Sequence, residues 1–140
     1  LMAASSIPLV LVDTSVWIDY YHPRGPLSLK HRVQEALEHG TVATIGLIAV
    51  ELLQGAPNAS AFENLQGDLM GWQWLDVTQV IWLEAGGLGA RLRQAGASIP
   101  TTDVVIAATA LHYHCTLWHR DTDFTRLARH VSSLHAVALS

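Results

Sequence analysis

The chain has 140 residues, half of them hydrophobic and 14% charged, with eight basic against twelve acidic side chains and a net charge of −4 with His neutral. Such a composition excludes disorder and is long enough to bury a core without cross-links, and the single Cys115 forms no internal disulfide, which fits a reducing, cytoplasmic setting. The acidic balance argues mildly against a nucleic-acid binder, and no uninterrupted apolar run approaches the ~20 residues of a membrane span.

Residues 1–8 lack the basic start of a signal peptide and read as an irregular lead-in or an appended remnant, and 9–140 read as one domain. Leu9 to Val12 is short, apolar and β-branched, the signature of a buried strand. Thr14 or Ser15 then caps a short helix through Tyr21, and His22 to Pro26 is a breaker loop. Leu27 to His39 is a helix with Leu29, Val33, Ala36 and Leu37 on one side, closed by Gly40. Thr41 to Thr44 is a second strand. Ile45 to Leu53 is a buried helix stopped by Gly55-Ala56-Pro57, and Asn58 caps the next, which runs to about Met70.

Trp72 to Val77 reads as a third strand and Val80 to Gln94 as a helix, weakened at Gly86-Gly87 and ended by Gly96. Thr101 and Thr102 are placed to cap a helix from Asp103 to His114. Thr116 to His119 is a fourth strand, Thr122 to Arg129 a short helix, and Leu134 to Val137 an edge strand. Strands alternating with helices predict an α/β fold, a parallel sheet with helices on both faces.

Four acidic residues sit where carboxylates are usually avoided. Asp13 ends the first apolar strand, Glu51 interrupts the apolar segment Ile45 to Leu53, Asp103 stands directly before Val104-Val105-Ile106-Ala107-Ala108, and Asp121 follows Thr116-Leu117-Trp118. Burying a charge is costly unless it is paired or holds a metal. In parallel sheets ligands bind beyond the carboxyl ends of the strands, where Asp13 and Asp121 fall, so all four can converge there on a cation. Setting these four aside leaves eight acidic against eight basic residues, which weakens the objection from net charge.

The order of Asp13-Thr14-Ser15, Glu51, Thr102-Asp103 with its Ala-rich continuation to Ala110, and Asp121-Thr122-Asp123-Phe124 resembles the PIN-domain nucleases, and more narrowly the VapC-type toxins of toxin–antitoxin pairs. The resemblance runs from Leu9 to about Val137. It implies a PIN-domain-like three-layer sandwich, with a short, mainly parallel sheet flanked by helices. It implies an endoribonuclease in which Asp13, Glu51, Asp103 and Asp121 bind one or two Mg²⁺ or Mn²⁺ ions, joined by Asp123 as a ligand, an outer contact or only a helix cap. Water, activated with the help of the cation, attacks phosphorus, so no protein nucleophile is required. The resemblance also implies a homodimer and a small VapB-type antitoxin whose tail covers the acidic site with a basic residue. Thr14 and Ser15 are expected to support the carboxylates or the phosphate, and Arg120, with Arg91 and Arg93, to contact phosphate.

Each acidic position also has a plainer reading. Asp13 suits a strand-to-helix turn as a cap, Asp103 suits a helix N-terminus, and Asp121 and Asp123 suit a turn. Glu51 is the hardest to explain away. His112, His114, Cys115 and His119 lack the paired spacing of a zinc module, and residues 112 and 114 diverge by about 200° on a helix. His119 reads as a packed strand-end residue. Trp17, with Ile18, Tyr20 and Tyr21, is the aromatic site to watch for a partner groove; Trp72, Trp74, Trp82 and Trp118 read as core or interface. Alternatives to the toxin are a PIN-domain RNA-processing nuclease without an antitoxin, or a catalytically silent RNA- or protein-binding module. A phosphatase or receiver domain fits poorly, since Thr14-Ser15 replaces the phosphatase Asp-x-Asp and the only lysine is Lys30.

Overall fold

The computed structural model describes residues 8–140, so all but Pro8 of the expected lead-in lies outside the described residues. Five strands, β1 (Val10–Val12), β2 (Val42–Thr44), β3 (Gln73–Trp74), β4 (Thr116–His119) and β5 (Ala136–Ala138), form one sheet in the order β3-β2-β1-β4-β5. Every pairing is parallel, with Val12 opposite Trp118 and Leu11 opposite both Ala43 and Leu117. Among the described residues, seven helices connect and cover the strands: α1 (Thr14–Tyr21), α2 (Leu27–Glu38), α3 (Gly46–Gln54), α4 (Ala59–Met70), α5 (Gln79–Gln94), α6 (Thr101–Tyr113) and α7 (Thr122–His130).

The strand order has a functional consequence. From β1 the chain moves outward through β2 to β3, then returns to place β4 on the other side of β1. Successive connections therefore leave β1 and β4 in opposite directions, and the crevice beyond their carboxyl ends is the switch point where such sheets bind ligands.

Helix starts follow local chemistry and correct two expectations. Asp13, not Thr14 or Ser15, caps α1: its Oδ2 accepts the Ser15 N–H at 3.0 Å. At α6 the threonines do not cap. The helix begins at Thr101, immediately after Pro100, whose φ of −54° is fixed by its ring, so Thr101 and Thr102 occupy the first turn. Asn58 caps α4 as expected, accepting the Ala61 N–H at 2.8 Å. The loop after α2 needs a positive φ, and Gly40 supplies it at 67°.

α5 runs unbroken through Gly86-Gly87, against the expected weak point; at Gly89 an added Cβ would make an ordinary contact with Val104 Cγ1 at 3.6 Å. β3 is only two residues long and exposed, instead of the expected six, because it is an edge strand paired to β2 alone. α6 is the central helix. Residues Asp103 to Ala110 are all buried, a pattern that places it between neighbours on every side. It ends at Tyr113, and His114 turns the chain in the left-handed region with φ 56°.

The core centres on β1 and β4 with Val16, Trp17, Ile45, Ile48, Ile106, Phe124 and Leu127, each at most 1% exposed. Leu117, at 0% exposure in the middle of β4, has no space to be replaced. Leu117→Ala is expected to lower the unfolding free energy by about 3 kcal/mol, read from the urea midpoint at unchanged slope. A loss under about 1 kcal/mol would mean β4 is not part of the tightly packed interior.

Candidate active site

The carboxylates singled out from sequence meet where the sheet order directs them. Asp13 follows β1, and its backbone N–H donates to Trp118 O on β4 at 2.9 Å, which locks the two strand ends together. Asp103 lies in the first turn of α6, Glu51 on α3, and Asp121 and Asp123 at the start of α7. Oxygen atoms of Asp103, Asp121 and Asp123 lie within 4.8 Å of one another. Asp13 and Glu51 stand outside this trio but close enough for their charges to act on Asp103.

Asp103 is only 9% exposed. Its carboxyl is pushed up to about 7, first by burial and then by the neighbouring charges of Asp121, Asp13, Asp123 and Glu51. One acid therefore feels all four others, which is the convergence the sequence could suggest only topologically.

Hydrogen bonds aim the carboxylates. Ser15 Oγ donates to Asp13 Oδ2 at 2.6 Å and accepts the Arg120 N–H at 2.9 Å, tying the end of β1 to the turn after β4. Thr14 Oγ1 donates to Glu51 Oε1 at 2.7 Å, joining α1 to α3. Asp121 Oδ1 accepts the Asp123 N–H at 2.9 Å as the cap of α7. Behind it, buried His119 accepts the Asp121 N–H on Nδ1 at 3.2 Å and packs on Phe124. Burial lowers the imidazole pKa despite the nearby acids, and that accepting Nδ1 requires an unprotonated nitrogen.

The remaining sequence candidates separate. Arg120 does not face the carboxylate trio as an unpaired cation: its Nη1 lies 3.0 Å from Asp19 Oδ2 on α1. Arg91 and Arg93 line different cavities on α5. Trp17 is fully buried, stacked at 4.0 Å on Trp72 and donating from Nε1 to Val12 O, so it belongs to the core and not to a groove; Ile18 and Tyr21 beside it are exposed. His112 pairs with Glu84 instead of joining Cys115 and His119 in a cation site.

Sequence reasoning missed Arg126. Its Nη1 lies 3.0 Å from Asp123 Oδ1, and its Nη2 donates to Ser98 O at 3.2 Å. The Asp123 and Arg126 spacing of three on a helix was the available signal.

An all-oxygen, multiply acidic cluster with one member whose carboxyl is pushed up by burial and neighbouring charge fits a hard dication of the Mg²⁺ or Mn²⁺ kind. It does not fit zinc, whose structural sites use nitrogen and sulfur.

A sheet of this order with acids at its switch point defines a class. Residues 10–130 match the PIN domain family, and the chain belongs to it. Within that family it stands with the VapC ribonucleases: it is 30% identical over 133 residues to Ribonuclease VapC11 of Mycobacterium tuberculosis, covering 93% of this chain and 98% of that one. The fold is shared with VapBC2 from Rickettsia felis bound to a promoter DNA fragment, at TM-score 0.74 and 20% identity over 94% of this chain and 99% of the other. It is shared equally with FitAcB from Neisseria gonorrhoeae, at TM-score 0.75 and 20% identity over 94% and 97%.

The electrostatics of Asp103 yield a signed expectation. A carboxyl whose pKa is higher folded than unfolded holds its proton more tightly in the native state, so the contribution of Asp103 to stability is greatest at low pH and falls as pH rises from about 4 through about 7. In EDTA, Asp103→Asn should therefore stabilise the protein at pH 8, by at most about 4 kcal/mol at about 1.4 kcal/mol per pH unit, and do little at pH 4. Urea unfolding of both proteins across this range measures it. An effect independent of pH would show that Asp103 does not carry the repulsion.

Proposed function

We propose that this chain is the toxin of a type II toxin–antitoxin pair, a metal-dependent endoribonuclease that hydrolyses RNA phosphodiesters. The observation that carries the reading is the convergence of four other carboxylates on buried Asp103 at the switch point between β1 and β4. Kinship with the VapC ribonucleases supports RNA as the substrate class.

Asp13, Glu51, Asp103 and Asp121 would hold Mg²⁺ or Mn²⁺, with Asp123 contributing through the oxygen not engaged by Arg126. When bound, such a cation neutralises the clustered charge, stabilises charge on the phosphate and leaving oxygen, and makes water more acidic. The chain's own groups do the positioning. The hydroxyls of Ser15 and Thr14 donate to Asp13 and Glu51, so they orient carboxylates and are not nucleophiles. His119 stays neutral behind Asp121 and fixes the turn that carries it. Hydrolysis then adds the oxygen of water to phosphorus and releases one ribose oxygen.

Residues 9–140 act as a single nuclease domain, in the cytoplasm. Among the described residues no helix is long and apolar enough to cross a membrane. A VapB-type antitoxin is the proposed partner, its apolar segment seated near Ile18 and Tyr21 on α1 and Phe62 and Met70 on α4, all exposed. VapBC complexes among the structural neighbours support this partner. A homodimer is proposed as well; Val80 and Leu83, 57% and 71% exposed on one side of α5, support it.

Purified protein should cut cellular RNA into discrete fragments with Mg²⁺ or Mn²⁺ and stop in EDTA, while Asp13→Asn should lose cleavage by at least about a hundredfold with its fold retained. Metal-independent cleavage, or full activity in the variant, would reject the mechanism. Thr14→Val leaves Glu51 without its hydroxyl donor and should weaken Mn²⁺ binding by about tenfold, measured by calorimetry. An unchanged affinity would show that Thr14 does not position Glu51.

A further inference from the structure

A second cavity is linked to the acidic cluster through Arg126. It is about 530 Å³, within the range of small-ligand clefts, and lies in the groove between α5 and α6. Ala85, Gly86, Gly89 and Ala90 contribute its α5 wall, and small side chains leave that wall low. Trp82 stands at one end, 47% exposed, and exposed Arg93 at the other. Eleven residues make about three helical turns, so the two lie on one face of α5 about 16 Å apart along its axis.

Three observations connect this cavity with substrate. Ser98, on its rim, accepts a hydrogen bond from Arg126, and the same guanidinium holds Asp123 of the carboxylate trio, so one side chain separates cavity from cluster. α6 continues the link, since Thr101 lines the cavity and Asp103 is two residues on. Third, Arg93 has no ion pair or side-chain hydrogen bond among the described residues, whereas Arg120 and Arg126 are committed to Asp19 and Asp123. An unneutralised guanidinium complements a phosphate, and an exposed indole offers a stacking face that any base can use. Arg91, on the other side of α5, lines a larger cavity with His112, His130 and Ser132, without this connection to the acids.

We propose that the α5–α6 groove is an RNA subsite beside the scissile bond, in which Arg93 contacts a backbone phosphate and Trp82 stacks a base of the same single strand. This rests on the ribonuclease reading and extends it by naming where the flanking nucleotides lie. The carboxylates act on the scissile phosphate, and the groove holds the neighbouring segment in register.

The test uses the full chain in the Asp13→Asn background with Mg²⁺ and fluorescein-labelled single-stranded oligoadenylate, read by anisotropy. Trp82→Ala and Arg93→Ala are each expected to weaken binding about tenfold, with Trp82→Phe close to the parent and Arg91→Ala unchanged. Arg93→Ala should also reduce the slope of log affinity against log salt by about 0.7. With Asp13 restored, Trp82→Ala and Arg93→Ala should raise KM for RNA more than they lower kcat, with unfolding midpoints unchanged because both side chains are exposed. RNA affinity indistinguishable from the parent in both variants would overturn the subsite. So would Trp82→Ala shifting the mass by light scattering while RNA affinity holds, which would give the groove to a second copy. Parent protein that cleaves no RNA would instead reject the ribonuclease reading, and the binding comparison would still decide the groove.

Discussion

Mutual repulsion among carboxylates is the constraint on which the rest of this structure depends. Asp103 is buried in the first turn of the central helix, and four other acids act on it. A carboxylate in that position is stable only if it keeps its proton or if a cation compensates the cluster. The scaffold must therefore hold the acids in place against a force that drives them apart. The β1–β4 pairing, the Asp13 backbone bond to Trp118 and the fully buried α6 segment supply that rigidity. Stability in the metal-free protein is thus exchanged for a site already shaped for charge.

The plain and the functional readings of the acids turn out to be compatible. Asp13 and Asp121 are both helix caps, and each uses one carboxylate oxygen for this: Oδ2 in Asp13 and Oδ1 in Asp121. The other oxygen of each is left for the cluster. A cap also fixes the rotamer of its side chain, so the bond that starts the helix aims the carboxylate. Ser15 adds a second tie by bonding both Asp13 and the backbone of Arg120. The short strand-to-helix turns are what let a cap and a proposed ligand be the same residue.

Much of the fold was legible because buried parallel strands and amphipathic helices leave periodic signals. β1, β4, α2 and α4 fall within a residue or two of their expected bounds. β3 was overextended, since aromatic content suggests a strand but says nothing of how much neighbour it will find at an edge. The start of α6 was placed two residues late because threonine is a familiar cap, while Pro100 already fixes the backbone there. The acidic cluster could be read from apolar context, and Asp123 entered it as the least secure member. In the structure Asp123 groups with Asp103 and Asp121, while the charges of Asp13 and Glu51 also act on Asp103. Trp17 misled because an aromatic beside a candidate site looks the same in sequence whether it points in or out. The pairing of Arg120 was not legible because its partner, Asp19, is about a hundred positions away.

The scarcity of positive charge follows from the same constraint. Arg126 and Arg120 lie close to the site, and both are consumed by acids, Asp123 and Asp19. A protein that must first neutralise its own carboxylates has few cations left to spread over an RNA-binding face, and its net charge stays negative. On the proposed ribonuclease reading, a polyanionic substrate depends on a cation at the cluster and on a few unpaired guanidiniums, together with surfaces on which bases can stack. Specificity in such an arrangement comes from the shape and placement of single-stranded segments and not from a broad electrostatic field. On the proposed reading, the carboxylates that serve hydrolysis also limit which RNA can approach them.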